Sequence, residues 1–336
     1  MKFIVYSRED SVQPLSFVNQ SWPVFFLPEY AQSIEKIGME SMVYFLDETN
    51  QSVMPCKLYR KNIFSSLQII CAPHKNGKEL SINDQELFLN EVIKLCKKDS
   101  IADRFLQAEP TGYTLAKPKQ TQHCAFGTYR TALQTLSEEE ILNSFKTRFK
   151  QGVAASLRMG AQSKFGREHF NDFYTLYQNT MSKAGMPVDP AYYFKAYFEF
   201  LAEENANVAV VYENNDPIGG VFYLSSGHSA YITHAGSDNS VSKNYGAVKQ
   251  LHYELMCRLK SKGVQYYDFA GVRVDNKNPK LDGIFRFKAG FGGDLHQGYL
   301  WKQNISNFKT NLHAALLRIK LLGKEIPKDI IDQQNA

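Results

Sequence analysis

The chain has 336 residues, long for one domain and comfortable for two, with 43% apolar and 22% charged side chains, an ordinary globular balance. A net charge of +5 falls short of the strongly basic balance of a dedicated nucleic-acid-binding domain; it permits an anionic substrate such as a nucleotide sugar or tRNA without requiring one. Five cysteines (Cys56, Cys71, Cys96, Cys124 and Cys257), an odd number with no CxxC pair, argue against a disulfide framework and a zinc site and for a reducing compartment.

At the N-terminus, residues 3–6 read as a strand, and the apolar run there is too short for a secretory signal. No stretch approaches the roughly 18 apolar residues of a membrane span, so a soluble, cytoplasmic protein is expected. A short helix follows at 28–37, then strands at 42–47, 52–60 and 65–73 separated by turn residues. Leu87, Phe88, Val92, Ile93 and Leu95 give 82–97 a helical period, and 104–108 reads as a short strand ending at Glu109-Pro110. After a polar join at 117–122, residues 124–136 look extended. Ser137 and Glu140 then form a capping box that opens a helix. These signals put a domain boundary near 137, giving domains 1–136 and 137–336.

The second half opens with helices at 168–184, stopped by Gly185, and 190–204, with Pro190 near its first turn. Strands follow at 208–213, 218–224 and 229–234, with Asp216-Pro217 and Ser225-Ser226-Gly227 as the turns. A long helix at 243–262 ends at Gly263. A strand at 265–269 ends in Asp268, a short helical turn spans 282–291, a last strand 295–301, and a terminal helix 307–322. Strands, helix, strand occur in that order at 42–109 and again at 208–270, which predicts two similar α/β domains.

Most familiar site motifs are missing: the sequence holds no GxGxxG, P-loop, HExxH or GxSxG. His228 and His234 lie six apart on one expected strand and so should share a face, but two partly exposed strand histidines explain them better than a metal pair. The 19 tyrosines and 23 phenylalanines exceed ordinary packing needs, and tyrosines line substrate clefts, although packing is the usual role of any one of them. Lys146, Arg148, Lys150 and Arg158 make a basic stretch that fits a solvated helix face and a track for tRNA phosphates equally well.

Two segments carry chemistry. SKNYGA at 242–247 opens the long helix and partly matches the Q/R-x-x-G-x-G/A turn with which a GNAT acetyltransferase presents amides to the coenzyme A pyrophosphate; Val248 stands where that turn has a small residue. Further on, Asp268 ends a strand, a glycine-rich turn follows, and then come Arg286, Phe287, Lys288 and a Gly292-Gly293 turn. Arg286 and Lys288 are two apart on a helical turn, so only one of them can enter a given pocket.

Read as YYDFAGV followed by GIFRFKAGFGGDL, this region resembles the C-terminal signature of the Fem family of aminoacyltransferases (FemA, FemB, FemX), roughly D-F-x-G-I/V and then G-x-Y/F-x-F-K-x-G-F-G-G-E/D. The resemblance covers about 136–302 well and the first half in outline. It implies an α/β (α+β) fold of two tandem GNAT-like domains, each a mixed, mostly antiparallel sheet flanked by helices. It also implies transfer of an amino acid from aminoacyl-tRNA to the amine of a peptidoglycan precursor's stem peptide, nucleotide- or lipid-linked, with no cofactor and no metal, and with peripheral membrane contact among the expected partners. By position, Lys288 matches the family's signature lysine and Glu109 an acidic residue before proline, so these two are the catalytic candidates. Phe287, Arg286, Tyr193, Tyr231 and Asp268 are the substrate-binding candidates. Asp189 stands where some members carry an arginine for substrate phosphate, which disfavours a nucleotide-linked acceptor, and the long coiled-coil insertion of FemA-like members is missing, as in the shorter FemX-like form. An acetyl-CoA-dependent GNAT N-acyltransferase acting on a small amine or amino sugar, and a catalytically dead GNAT-fold binding module, are the alternatives.

Overall fold

The structure, a computed structural model, describes residues 3–7, 15–38, 40–238, 246–274, 279–321 and 328–335. In chain order the first half gives β1 (Phe3–Ser7), α1 (Pro28–Ile37), β2 (Glu40–Asp47), β3 (Ser52–Lys61), β4 (Phe64–Ile69), a small hairpin of β5 (His74–Lys75) and β6 (Lys78–Glu79), α2 (Ile82–Lys98), β7 (Arg104–Phe105) and β8 (Gln122–Ala132). The second gives α3 (Glu138–Ser144), α4 (Thr147–Arg158), β9 (Gln162–Phe165), α5 (Phe170–Ala184), α6 (Ala191–Phe200), β10 (Ala206–Glu213), β11 (Asp216–Ser225), β12 (Ser229–Ser237), α7 (Ala247–Ser261), β13 (Tyr266–Asp268), β14 (Val272–Arg273), α8 (Pro279–Lys288), β15 (Asp294–Asn304), α9 (Asn307–Leu321) and α10 (Ile330–Gln334).

The strands form one mixed sheet in the order β1-β2-β3-β4-β7-β15-β8-β13-β12-β11-β10-β9. The repeated order read in the sequence is a repeated topology. In each half three antiparallel strands lead into a helix, and the strand after the helix pairs parallel to the third: β7 to β4, and β13 to β12. The halves are sewn together by two long strands. β8, from before the Ser137 cap, pairs with β13 and β15 of the second half, and the far end of β15 returns to pair with β7 of the first.

Alternation along the strands feeds three cores. Met42, Tyr44 and Leu46 of β2, and Val208, Val210 and Tyr212 of β10, point into a central core shared by both halves with α1, α5 and α6. Val43 and Phe45 point the other way, under α2, while Ala209 and Val211 point under α7. The aromatic surplus is largely here: Phe170, Phe173, Tyr177, Phe194, Tyr197 and Phe222 are all in the central core.

The local signals fare well where a side chain enforces them. Ser137 accepts from the Glu140 amide at 3.2 Å and Glu140 accepts from the Ser137 amide at 2.7 Å, the predicted capping box. Gly185 ends α5 at φ 66°. Elsewhere the expectations shift. The β10–β11 turn is made by Asn214 and Asn215, both at positive φ (51° and 70°), and Asp216-Pro217 already belong to β11; two asparagines tolerate this backbone better than the proline could. Helix α6 stops at Phe200, four residues short of the expected 204, and the expected strand to 108 pairs only at Arg104–Phe105. His228 lies before β12 rather than on it, so it and His234 do not share a strand. Phe222 pairs with His234 but Tyr223 with Ile232, so Thr233 is an extra residue that breaks the two-residue period. Of the SKNYGA segment, 242–245 lie outside the described residues, and α7 is described from Ala247.

Val248, the departure from the small-residue turn, has a partner for its bulk. A Cβ on Gly219 of β11 would sit 2.7 Å from Val248 Cγ2 and 3.3 Å from Val211 Cγ1, so the valine fills the space that Gly219 leaves open. Gly219→Ala is expected to cost about 1–3 kcal/mol by overpacking. Urea denaturation of a double-mutant cycle checks it: in a Val248→Ala background the same change should cost much less, and equal costs in both backgrounds would show that this contact does not set the spacing.

Candidate functional site

The two halves differ at one place, where each parallel pair of strands ends. In the first half the pair stays closed: beyond Leu67↔Phe105, Leu106 donates to Leu67 O at 2.8 Å, the Gln68 side chain donates to Gln107 O at 3.0 Å, and Glu109 donates to Ile69 O at 2.9 Å. In the second half the pairing stops at Tyr231↔Asp268. β12 continues to Ser237 on β11 alone, and the chain after Asp268 turns away to pair Val272–Arg273 with β8. The sheet therefore parts between Ile232–His234 on one side and Phe269–Gly271 on the other.

A cavity of about 380 Å³ lies at this parting, on the face of the central core. Thr233 and His234 reach it through the bulge and Ala270 through the turn. The first half closes it with Lys57 and Tyr59 of β3 and with Glu109, carried at the end of the zipped strand pair. Tyr30 of α1, Tyr193 and Tyr197 of α6, Asp189 just before α6 and Thr111 supply the rest of its polar lining.

The charges in this lining are paired. Lys57 Nζ donates to Glu109 Oε1 at 3.1 Å, with the lysine side chain 8% exposed and the glutamate 34%, so the carboxylate is the wetter partner. Asp189 Oδ2 accepts from Tyr177 OH at 2.8 Å and from His234 Nε2 at 3.3 Å. The His234 hydrogen bond, opposed by burial and helped by Tyr177, holds the Asp189 carboxyl below its ordinary value. Tyr197 OH donates to Tyr193 OH at 3.2 Å. Burial pushes the phenols of Tyr30, Tyr193 and Tyr197 far up, so they stay neutral donors. A pocket with two carboxylates and several phenol faces suits an amine better than a phosphate.

Behind the Ala270 wall sits Lys288. Its ammonium donates to the carbonyls of Phe269 and Gly271, at 2.6 and 2.5 Å, and the third N–H has no partner among the described residues. Burial lowers its pKa to about 8, partly offset by Asp268. The turn it grips is held from the other side too. Asp268 Oδ1 accepts from the Ala270 amide and from Thr128 Oγ1, both at 2.7 Å, while its Oδ2 takes Arg130 Nε at 3.1 Å. Thr128 Oγ1 also accepts from the Gly271 amide at 3.2 Å. Gly271 at φ 105° is packed so closely on Pro110 and Phe126 that a Cβ would fall 2.8–3.0 Å from both; Pro110 follows Glu109, so this contact ties the turn to the first-half carboxylate.

The sequence candidates therefore separate. Glu109 and Tyr193 line the cavity. Lys288 grips the turn that walls it. Asp268 is 2% exposed and fully engaged as the anchor of that turn, not open to a ligand. Tyr231 is 4% exposed, packs on Phe25 at 4.7 Å and faces a small inner recess beside Arg130. Phe287 packs edge-on against Phe291 (5.0 Å) and His252 (5.9 Å) and tilted against Phe149 (5.9 Å), beside Lys288 in sequence. Arg286 points outward, 76% exposed and paired with Asp282 four residues earlier, as a spacing of two from Lys288 requires. Sequence reading missed Lys57, Tyr30, Tyr59, Tyr197 and the His234–Asp189 pair. Spacing weighs His234 only as a metal ligand, and position weighs Asp189 only as a missing arginine. Among the described residues no group of three or more His, Cys, Asp or Glu could hold a metal ion, and no helix is long and apolar enough to cross a membrane.

With this geometry in place, the comparisons are specific about fold. Residues 143–288 match the family model of an acetyltransferase (GNAT) domain. No curated protein sequence matches. Among solved structures the chain is similar to FemX, with a TM-score of 0.62 over 85% of this chain and 93% of that one at 14% identity. It is similar also to the C-terminal DUF2156 domain of a protein from Agrobacterium fabrum assigned as a lysylphosphatidylglycerol synthetase, with a TM-score of 0.52 at 12% identity over 86% and 91% of the two chains. L-PGS from Bacillus licheniformis gives a TM-score of 0.50 at 12% identity over 87% and 92%. The chain thus has the GNAT acyltransferase fold in a Fem-like arrangement, and at these identities the likeness is one of fold.

Burial of the Lys288 ammonium has a pH signature. Between about 8 and the ordinary 10.5 the folded chain has released a proton that the unfolded chain still holds, so stability contributed by this site rises with pH through that window. Denaturation of the wild type and Lys288→Met at a series of pH values should show the wild type gaining on the variant above pH 8; parallel curves would mean that Lys288 titrates normally.

Proposed function

We propose that the protein is an aminoacyltransferase that moves an amino acid from aminoacyl-tRNA to the amine of a peptidoglycan precursor's stem peptide. The observation that carries this reading is the parting of β12 from β13, with a buried ammonium gripping the turn that forms one wall and an amine-suited cavity beneath. The acceptor amine enters the cavity among Tyr193, Tyr197 and the Glu109 and Asp189 carboxylates. The activated ester reaches it through the parting from the α7 face. Nitrogen attacks the ester carbon, and the developing oxyanion is met by the third N–H of Lys288, whose other two are fixed on the turn. Glu109 takes the proton from the amine and returns it to the leaving ribose hydroxyl as the C–O bond breaks and the amide C–N bond forms. Atoms balance with no cofactor.

The donor's phosphates have a basic surface to follow. Lys146, Arg148 and Arg158 on and beside α4 are exposed, and Lys249 of α7 lies over the Phe149 ring at 4.9 Å, next to Arg148. The lysylphosphatidylglycerol synthetase likeness is compatible with aminoacyl chemistry on this fold. The GNAT domain match favours a second reading, acyl transfer from a coenzyme A thioester to a small amine. Against it, Gly246 at the head of α7 lies so close to Gly152 of α4 that a Cβ on it would fall 2.0 Å from Gly152 O, which crowds the helix end where a pyrophosphate would bind.

A transfer assay separates the two. Purified protein is incubated with labelled aminoacyl-tRNA or labelled acetyl-CoA and a muropeptide, nucleotide- or lipid-linked. Label should pass from tRNA to the peptide, and Glu109→Gln should slow it by about 10²–10⁴-fold with little effect on folding. Label passing only from acetyl-CoA would establish the second reading, and full activity in Glu109→Gln would remove that residue from the mechanism.

A further inference from the structure

Helix α9 turns an apolar face away from the protein. At 100° per residue, Phe308, Leu312, Ala315, Leu316 and Ile319 fall within one arc of about 100°. Phe308 is 78% exposed, Ile319 70% and Leu316 49%, whereas the other side of the helix carries His313 and Leu317, which line a groove between the helix and the sheet. An amphipathic helix normally buries its apolar stripe; this one leaves the stripe outside. The helix has no acidic residue, and Arg318 beside the stripe is exposed. Asp103 reaches it from the body of the protein and binds Lys309 at 3.0 Å.

A second element repeats the pattern at the same place. Phe64 packs on His313 at 4.8 Å, which sets the β3–β4 hairpin tip beside α9, and the charge of Lys61 acts on His313. That tip presents Ile63, 62% exposed, with exposed Arg60 and Lys61. Two elements far apart in sequence thus combine solvent-facing aliphatic side chains with cations, and neither carries an exposed acid among its described residues.

We propose that this face, the outer side of α9 and the β3–β4 tip, docks the protein peripherally on an anionic lipid bilayer. Apolar side chains enter the boundary of the headgroups while Arg60, Lys61 and Arg318 stay at the level of the phosphates. Charge favours this occupant over a second copy of the chain. A two-fold pairing through the stripe would bring Arg318 and Lys61 against cations of the same sign, with no carboxylate of α9 or the tip to answer them. Docking of this kind does not depend on the transfer reaction.

The test is flotation of the full-length protein with phosphatidylcholine vesicles, with and without phosphatidylglycerol, read beside its light-scattering mass. The protein should float with the phosphatidylglycerol vesicles, less so as salt rises. The pair Phe308→Glu and Ile319→Glu should weaken binding about tenfold or more, and the pair Arg60→Glu and Arg318→Glu should abolish the preference for anionic lipid. All four positions are exposed, so circular dichroism should be unchanged. Transfer to a soluble acceptor should be unchanged as well, which keeps this result separate from the reading of the active site. Failure of the wild type to float, equal binding to neutral vesicles, or a dimer that Phe308→Glu disperses would each overturn the proposal.

Discussion

Everything at the site hangs on the turn Phe269–Gly271, and the turn hangs on polar bonds made in the interior. A three-residue bend with two residues at positive φ, Ala270 at 50° and Gly271 at 105°, is not a conformation the chain holds unaided. Its amides go to Tyr129 O, Asp268 Oδ1 and Thr128 Oγ1, and two of its carbonyls share the Lys288 ammonium. Removing any one partner would leave a buried polar group unpaired, which is costlier than the bond itself is worth. The same lattice forces β13 to leave β12 after three paired residues. The opening in the sheet, the wall of the cavity and the orientation of the lysine are one arrangement.

Two halves of similar topology therefore differ in whether the parallel strand pair opens. Zipped by Glu109 N to Ile69 O and by the Gln68 amide, the first half has no gap for an acyl group and instead offers a rigid strand end on which Glu109 is presented. The second half has the gap. Lys57, 8% exposed and salt-bridged to Glu109, helps hold that carboxylate at the mouth of the cavity rather than deep in the core. Close packing of Gly271 on Pro110 then fixes the spacing between the carboxylate of one half and the parted strands of the other.

Much of the fold was legible because it rests on local signals. The Ser137–Glu140 box and the Gly185 stop are enforced by neighbours in sequence, and they read correctly. What failed was set by distant partners. Asn214-Asn215 displaced Asp216-Pro217 because strand register decides which residues must turn. The Thr233 bulge, invisible in a pattern of alternation, moved His234 onto the cavity and next to Asp189. Lys288 and Glu109 are candidates through a family signature rather than through spacing. Lys57 and Tyr30 had no signal, since a lysine in a strand and a tyrosine in a helix are ordinary until the fold brings them to one pocket. Asp268, a substrate-binding candidate by the same signature, has both carboxylate oxygens engaged, by the Ala270 amide, Thr128 and Arg130.

The central claim is that the acceptor amine occupies the cavity where β12 and β13 part, and protection of a thiol placed there tests it most directly. Thr233→Cys is close to isosteric and puts its sulfur in the cavity wall, whereas four of the five native cysteines are buried and Cys257 is half-buried elsewhere. The rate of alkylation would be followed by mass spectrometry with and without an amine-bearing muropeptide. The account predicts that the muropeptide slows alkylation at this position, and that the same peptide with its amine acetylated does so far less. Equal rates in all three conditions, at peptide concentrations that support transfer, would place the acceptor elsewhere and contradict it.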